Sequence, residues 1–174
     1  MPEQVAMRLK ALRSQLKKLQ LGGFIIGRED MFQGEEVPAR DDRLNYISGF
    51  TGSAGFALVT DEAAVLFSDG RYSLQMQAQI DHTYWQCHTL PAYGLDEWLF
   101  DHSIANLDIG IDPWLVTMSG YDHYHSSILK GGGRLCVVER NPIDAIWKDQ
   151  PSLSAPLAWR MDVSVAGQSV NDKI

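Results

Sequence analysis

Arg43-Leu44-Asn45-Tyr46-Ile47-Ser48-Gly49-Phe50-Thr51-Gly52-Ser53-Ala54-Gly55, followed by Phe67-Ser68-Asp69-Gly70-Arg71-Tyr72, carries more structural information than any other part of this chain. Gly49, Gly52 and Gly55 recur at a spacing of three. After them the sequence reads as a hairpin, with Phe56-Ala57-Leu58-Val59 and Val65-Leu66-Phe67 as arms and Thr60-Asp61-Glu62 as the turn. A phosphate cradle needs a strand before its glycines, a helix amino terminus after them and usually a lysine. Here the glycines lead into a strand and no lysine follows. They read as a tight backbone turn, where glycine supplies unusual dihedrals or close packing. Asp69 then stands where a helix cap is wanted, and a carboxylate there answers orphan amides and the helix dipole. That helix is expected from Tyr72 to Ile80, with Leu74 and Ala78 at helical spacing. Arg71 projects from its first turn. It reads as an ion-pair partner of Asp69, Asp41 or Asp42, or as an arginine presented at a domain or subunit boundary to a carboxylate-bearing group.

On the amino-terminal side, Val5, Leu9, Leu12, Leu16 and Leu19 repeat at intervals of 4, 3, 4 and 3, the stripe of an amphipathic helix. Gly22-Gly23 is expected to end it. Arg8, Lys10, Arg13, Lys17 and Lys18 lie on its polar side and read as a solvated face. Phe24-Ile25-Ile26 reads as a short buried strand, and residues 28–43, with Gly34 and Pro38, as the longest loop. On the carboxyl side, Tyr84–His88, Ile109–Ile111 and Leu135–Val138 are strand-like, alternating with helices around Leu95, Trp98 and Leu99 and from Thr117 to Leu129. Asn141-Pro142 opens a helical turn through Trp147, with asparagine as cap and proline at the first helical position. Strands alternating with helices, plus one hairpin, imply an α/β sandwich around a mixed sheet. Residues 149–160, with Pro151 and Pro156, read as a linker. Ser169-Val170-Asn171-Asp172 has the spacing of a capping box. The expected organisation is therefore a domain over 1–148, a linker over 149–160, and the opening of a further domain over 161–174, inside which the sequence stops.

With 174 residues and 45% hydrophobic content, the chain is long enough to bury one core. Fifteen Lys and Arg against 22 Asp and Glu leave a formal charge of -7, which argues against a nucleic-acid partner. No apolar run approaches the ~20 residues that cross a bilayer, and Met1-Pro2-Glu3-Gln4 lacks the apolar core of a secretory signal. Cys87 and Cys136 sit in apolar strand-like runs and read as buried free thiols of a reducing, cytoplasmic compartment.

Few residues nominate chemistry. His123 and His125 lie two apart on a predicted helix, so they point about 200° apart and cannot grip one ion together. Ser53 lacks a base and an orienting group, and its hydroxyl is expected to satisfy backbone groups in the turn. Trp85, Trp98, Trp114 and Trp147 read as core or inter-domain packing.

Taken together, these motifs resemble the amino-terminal domain of the Xaa-Pro aminopeptidases, in the creatinase/prolidase family, over nearly the whole chain. Gly34-Glu35-Glu36 with Pro38–Leu44 is similar to the acidic loop before the glycine motif. Gly49–Gly55, Asp69–Tyr72, the helix Leu74–Gln79, Gly110-Ile111-Asp112-Pro113, and Asn141–Trp147 with Asp149-Gln150-Pro151 follow in the family's order. Glu36 stands where an aromatic residue is common, and Gln150 where arginine is common. The resemblance implies a ribonuclease-H-like, three-layer α/β/α sandwich that shapes access to the active site and contributes to subunit contacts. It implies that Arg71, Arg43 and Glu36 are candidates for lining substrate access, with Gly49, Gly52, Gly55 and Asp69 as structural motif residues. The family's catalysis uses two divalent ions, usually manganese, held by two aspartates, one histidine and two glutamates of a separate pita-bread domain. None of those ligand motifs occurs here, so no catalytic or metal residue and no cofactor is expected in this chain. The implied partners are its own catalytic domain, further copies in a homo-oligomer and a peptide substrate, with neither nucleic acid nor membrane. Two other readings share the architecture: a peptidase-like protein-binding module without activity, as in a histone-chaperone subunit, and the same domain of a creatinase or prolidase.

Overall fold

Alternation along the strands divides the apolar residues between two faces of one sheet. The computed structural model describes residues 2–153 and 157–174. The strands are β1 (Gly23–Gly27), β2 (Phe56–Thr60), β3 (Ala64–Asp69), β4 (Gln86–Leu90), β5 (Asp108–Ile111) and β6 (Arg134–Val137). The helices are α1 (Pro2–Lys18), α2 (Arg43–Ser48), α3 (Ser73–Gln79), α4 (Leu95–Asp101), α5 (Met118–Lys130), α6 (Pro142–Ile146), α7 (Val163–Ala166) and α8 (Val170–Lys173). The six strands are ordered β4-β3-β2-β1-β5-β6. β2 runs antiparallel to both its neighbours, and the other adjacent pairs are parallel. Phe24, Ile26, Ala57, Val59 and Leu66 face a core closed by α1, α2, α3 and α6. Ile25, Leu58, Val65, Phe67 and Ile109 face the opposite core, closed by α4 and α5. Period-two burial on a sheet covered on both sides gives the expected three layers, and the strand order is consistent with the ribonuclease-H-like expectation.

α1 buries Val5, Leu9, Leu12 and Leu16, but Leu19 is exposed because the helix has already ended. The terminator is Gln20, not the glycine pair. Gln20 adopts φ 58°, with Gln20 N donating to Lys17 O and Leu21 N to Leu16 O at 3.2 and 3.0 Å, the two bonds of a Schellman cap. Gly22 and Gly23 serve packing instead: a β-carbon on either would sit 2.9 Å from Leu107 or Ile109 side-chain atoms. The basic side of α1 is only partly a solvated face. Arg8 donates to Tyr46 O at 2.6 Å and lies 4.1 Å over the Tyr46 ring, and Arg13 donates to Thr60 O at 2.8 Å.

α2 is an element the sequence reading did not anticipate. Asp42 caps it by accepting from Asn45 N, and Gly49 closes it with φ 83°. In α3 the buried positions are Met76 and, just beyond, Ile80, whereas Leu74 and Ala78 are exposed. The remaining expected helices and strands form, with Thr117 and Asn141 as side-chain caps. Trp85 and Trp98 are buried and Trp147 stacks on Tyr46 at 4.4 Å, but Trp114 is 70% exposed. Both cysteines are free and half-buried, and burial pushes the Cys87 thiol up to about 11. Ser169 and Asp172 form the expected capping box on α8, while α7, capped by Asp162, was not foreseen. Pro156 of the linker reading lies outside the described residues. No helix among those residues is long and apolar enough to cross a membrane.

Candidate functional site

Parallel strands deliver their carboxyl ends to one edge of the sheet, where ligands of open α/β sheets collect. Here that edge carries the glycine turn, the segment after β3, and the loop after β1.

The glycine turn is held from three sides. Thr51 N donates to Gln79 Oε1 at 3.0 Å, and Thr51 Oγ1 accepts from Gln75 Nε2 and Gln79 Nε2 at 2.9 and 2.8 Å. Gly52 O accepts from Arg28 Nε at 3.2 Å, and Ala54 O from Ser68 Oγ at 2.6 Å. Ser53 Oγ pairs with the Tyr72 hydroxyl at 2.6 Å. Its partner is thus a side chain, where turn backbone was expected. Gly49 and Gly55 occupy positive φ, at 83° and 145°. Gly52 does not; it is required by contact, since a β-carbon there would meet the Phe50 ring at 2.2 Å.

Asp69 follows β3 and caps the 3-10 turn Gly70–Tyr72, accepting from Arg71 N at 2.9 Å. The Arg71 guanidinium returns to the same carboxylate with bonds of 3.0 and 2.7 Å. These bonds hold the Asp69 carboxyl below its ordinary range and raise Arg71. Tyr72 is lowered, first by its bond with Ser53. Arg71 remains 69% exposed, presenting one face of its guanidinium to solvent. Glu35 of the loop adds a weaker charge toward it, and Glu36 beside it is exposed.

Arg43 has a different setting. Its side chain is 8% exposed and donates to both Asp144 carboxylate oxygens, at 2.8 and 3.0 Å, and to Asp41 at 3.2 Å. It fastens α2 to α6 and does not open toward solvent as Arg71 and Glu36 do.

A second concavity lies beyond β1 and β5; sequence reasoning named Asp112 and Asn141 only as motif and cap residues and passed over Glu29, Gln33 and Tyr124. Glu29, Gln33, Asp112, Tyr124 and Asn141 border a cavity of about 190 Å³. Burial pushes the Glu29 carboxyl up to about 7, against the pull of the Arg28 charge. The available signal was positional: Asp112 directly follows the buried strand β5, and Glu29 lies two residues past the end of β1. His123 and His125 are each exposed on α5. Among the described residues no three His, Cys, Asp or Glu side chains are grouped so as to hold a metal ion.

Residues 8–140 match the family model described as the creatinase/prolidase N-terminal domain. The chain is 33% identical over 168 residues to aminopeptidase P1 of Lotus japonicus, covering 95% of this chain and 26% of the relative. It is 35% identical over 175 residues to a probable Xaa-Pro aminopeptidase P of Fusarium vanettenii, covering 96% of this chain and 28% of that protein. It thus spans about a quarter of the length of the curated relatives it matches. Among solved structures, an X-prolyl aminopeptidase from Caenorhabditis elegans, described as a cytosolic enzyme with a di-nuclear active site, superposes with a TM-score of 0.80 at 26% identity, over 97% of this chain and 29% of that one. The isolated N-terminal domain of the cytoplasmic peptidase PepQ from Mycobacterium tuberculosis shares the fold, with a TM-score of 0.61 at 22% identity over 80% of this chain and 98% of that domain. With one sheet order, one glycine turn and one family model running through most of its length, the chain belongs to the creatinase/prolidase N-terminal domain family.

Proposed function

We propose that this chain is the non-catalytic N-terminal domain of a cytoplasmic, metal-dependent Xaa-Pro aminopeptidase, which removes the N-terminal residue preceding proline. The observation that carries this reading is the shape of the matches: nearly all of this chain aligns with aminopeptidases P, yet it fills only 26–28% of their length. The hydrolytic chemistry and its two divalent ions, manganese by resemblance, then belong to the remainder of such a polypeptide. On this reading residues 1–148 form the domain, 149–160 the linker and 161–174 the start of the next domain. Its partners are its own catalytic domain, further copies in a homo-oligomer, and a peptide substrate near its exposed edge.

Arg71 and Glu36 are the residues by which the domain would touch substrate capture. Arg71 is already oriented by Asp69, so it offers a carboxylate a pre-formed donor face at little entropic cost. Arg43 braces the same edge from behind. In the full-length enzyme Arg71→Ala is expected to raise KM about three- to tenfold while kcat changes little, the pattern of lost uniform binding. The cap of the 3-10 turn uses the Arg71 backbone amide, which alanine keeps. The thermal midpoint of the 174-residue chain should therefore stay put. A fall in kcat with KM unchanged, or an unfolded variant, would remove Arg71 from substrate capture.

A further inference from the structure

The crevice between β1 and β5 has no part in the reading above. After β1 the chain turns to β2 on one side, and after β5 to β6 on the other, so the two parallel strands end at a topological switch point. The cavity of about 190 Å³ sits there. At roughly 30 Å³ for each water-sized group, it takes a ligand of about five or six heavy atoms.

Its charged lining is acidic, with two carboxyl groups and no basic side chain among the described residues. Asn141 Nδ2 gives one of its two N–H groups to Asp112 Oδ2 at 2.9 Å, and Gln33 Nε2 gives one to Asp30 O at 3.1 Å. Gly120 N, in the opening turn of α5, is spent on Thr117 Oγ1 at 3.1 Å. Two carboxyl groups, Glu29 and Asp112, border it with the Thr117 and Tyr124 hydroxyls; Asp112 accepts from Asn141 Nδ2 and, through Oδ1, from Trp114 N at 3.0 Å, and among the described residues no Lys, Arg or His lines the cavity. The rest of the wall is apolar, from Ile111, Leu115 and Val116. Such a lining calls for a ligand with donors, positive charge and a short apolar stem. An ammonium group has three donors and no acceptor. The elevated Glu29 carboxyl agrees, since burial outweighs the Arg28 charge and the ionised form gains from a further cation.

We propose that this cavity binds a small primary ammonium compound, with its charged head on the Glu29 and Asp112 carboxylates and its stem against Ile111, Leu115 and Val116. The first turn of α5 by itself favours an anion, so the sign of the ligand's charge is the decisive variable. The 174-residue chain, isotope-labelled, is titrated with n-butylammonium, n-butanol and butyrate while its amide NMR spectrum is recorded. Saturable shifts confined to Gly27, Ile111, Asp112 and Gly120 are expected with butylammonium. Affinity should fall about tenfold or more with the uncharged and anionic homologues, the loss of a charge-assisted bond. Glu29→Gln, nearly isosteric, should abolish saturation, and Tyr124→Phe should weaken it without moving the other resonances. Equal saturation by butyrate or butanol, unchanged binding in a folded Glu29→Gln chain, or no saturable shift at these amides would each overturn the assignment.

Discussion

A β-carbon at Gly52 would lie 2.2 Å from Phe50 Cζ, and Phe50 is fully buried, so its ring would have to shift within a packed core. Gly52→Val is accordingly expected to lower stability by roughly 1–3 kcal/mol, as overpacking does. Chemical denaturation of the 174-residue chain measures it, and an unchanged midpoint would mean that Phe50 has room to yield. That these glycines belong to a backbone turn was legible in the sequence, because what surrounds them lacks the lysine and helix of a phosphate site. Which of two arginines is exposed was not. Arg43 and Arg71 each lie close to an aspartate in sequence, but Arg43 finds Asp144 across 101 positions, a partner that local pattern does not reveal. Ser53 is similar: its bond to Tyr72 spans 19 positions.

Helix α1 shows how periodicity fixes an element and how its ends escape. Leu12 has no exposed surface and Leu19 is 43% exposed, though both belong to one repeat in the sequence. Leu12→Ala is expected to cost about 2–5 kcal/mol and Leu19→Ala well under 1 kcal/mol, since only the first opens a cavity. Equal losses would place the end of α1 beyond Leu19. The break falls before Leu19 because Gln20 takes the left-handed cap that the glycine pair was expected to supply. α2, six residues long, is too short for a periodic signal. Its evidence lay in its ends, Asp42 as cap and Gly49 as terminator. Most strands were read well because they are short apolar runs flanked by turn residues; β4, a polar run at Gln86–Leu90, falls two residues beyond the expected Tyr84–His88. Their order in the sheet needed the structure, and with it came the switch point that makes Glu29 and Asp112 neighbours of one cavity. A second latch, Arg43 on Asp144, joins α2 to α6. Arg43→Ala is expected to cost about 2–4 kcal/mol, because it strands partly buried carboxylates, and a cycle with Asp144→Ala measures the pair.

Across the molecule, the raised Glu29 carboxyl ties stability to pH. Folding shifts its proton affinity from an ordinary 4.5 to about 7, so between those values the folded chain holds a proton that the unfolded chain has released. Stability from this group is present at low pH and is lost as pH rises toward 7, by roughly 3 kcal/mol. Arg28, Asp112 and Tyr124 are the charged or titratable groups set around it. Glu29→Gln should flatten that part of the pH–stability curve and stabilise the chain at pH 8, and an unaltered curve would mean that Glu29 is solvated. The two cores, packed on opposite faces of a single sheet, are expected to let this chain fold without further sequence. Its described residues assemble no metal ligands. These two properties meet in one assay: the purified chain, shown to be folded by a cooperative unfolding transition, is incubated with an Xaa-Pro peptide and manganese beside the full-length enzyme. The expected result is release of the first residue by the full-length enzyme and none above background by the folded chain. Turnover by the chain alone at a rate near that of the full-length enzyme would contradict its assignment as a non-catalytic domain.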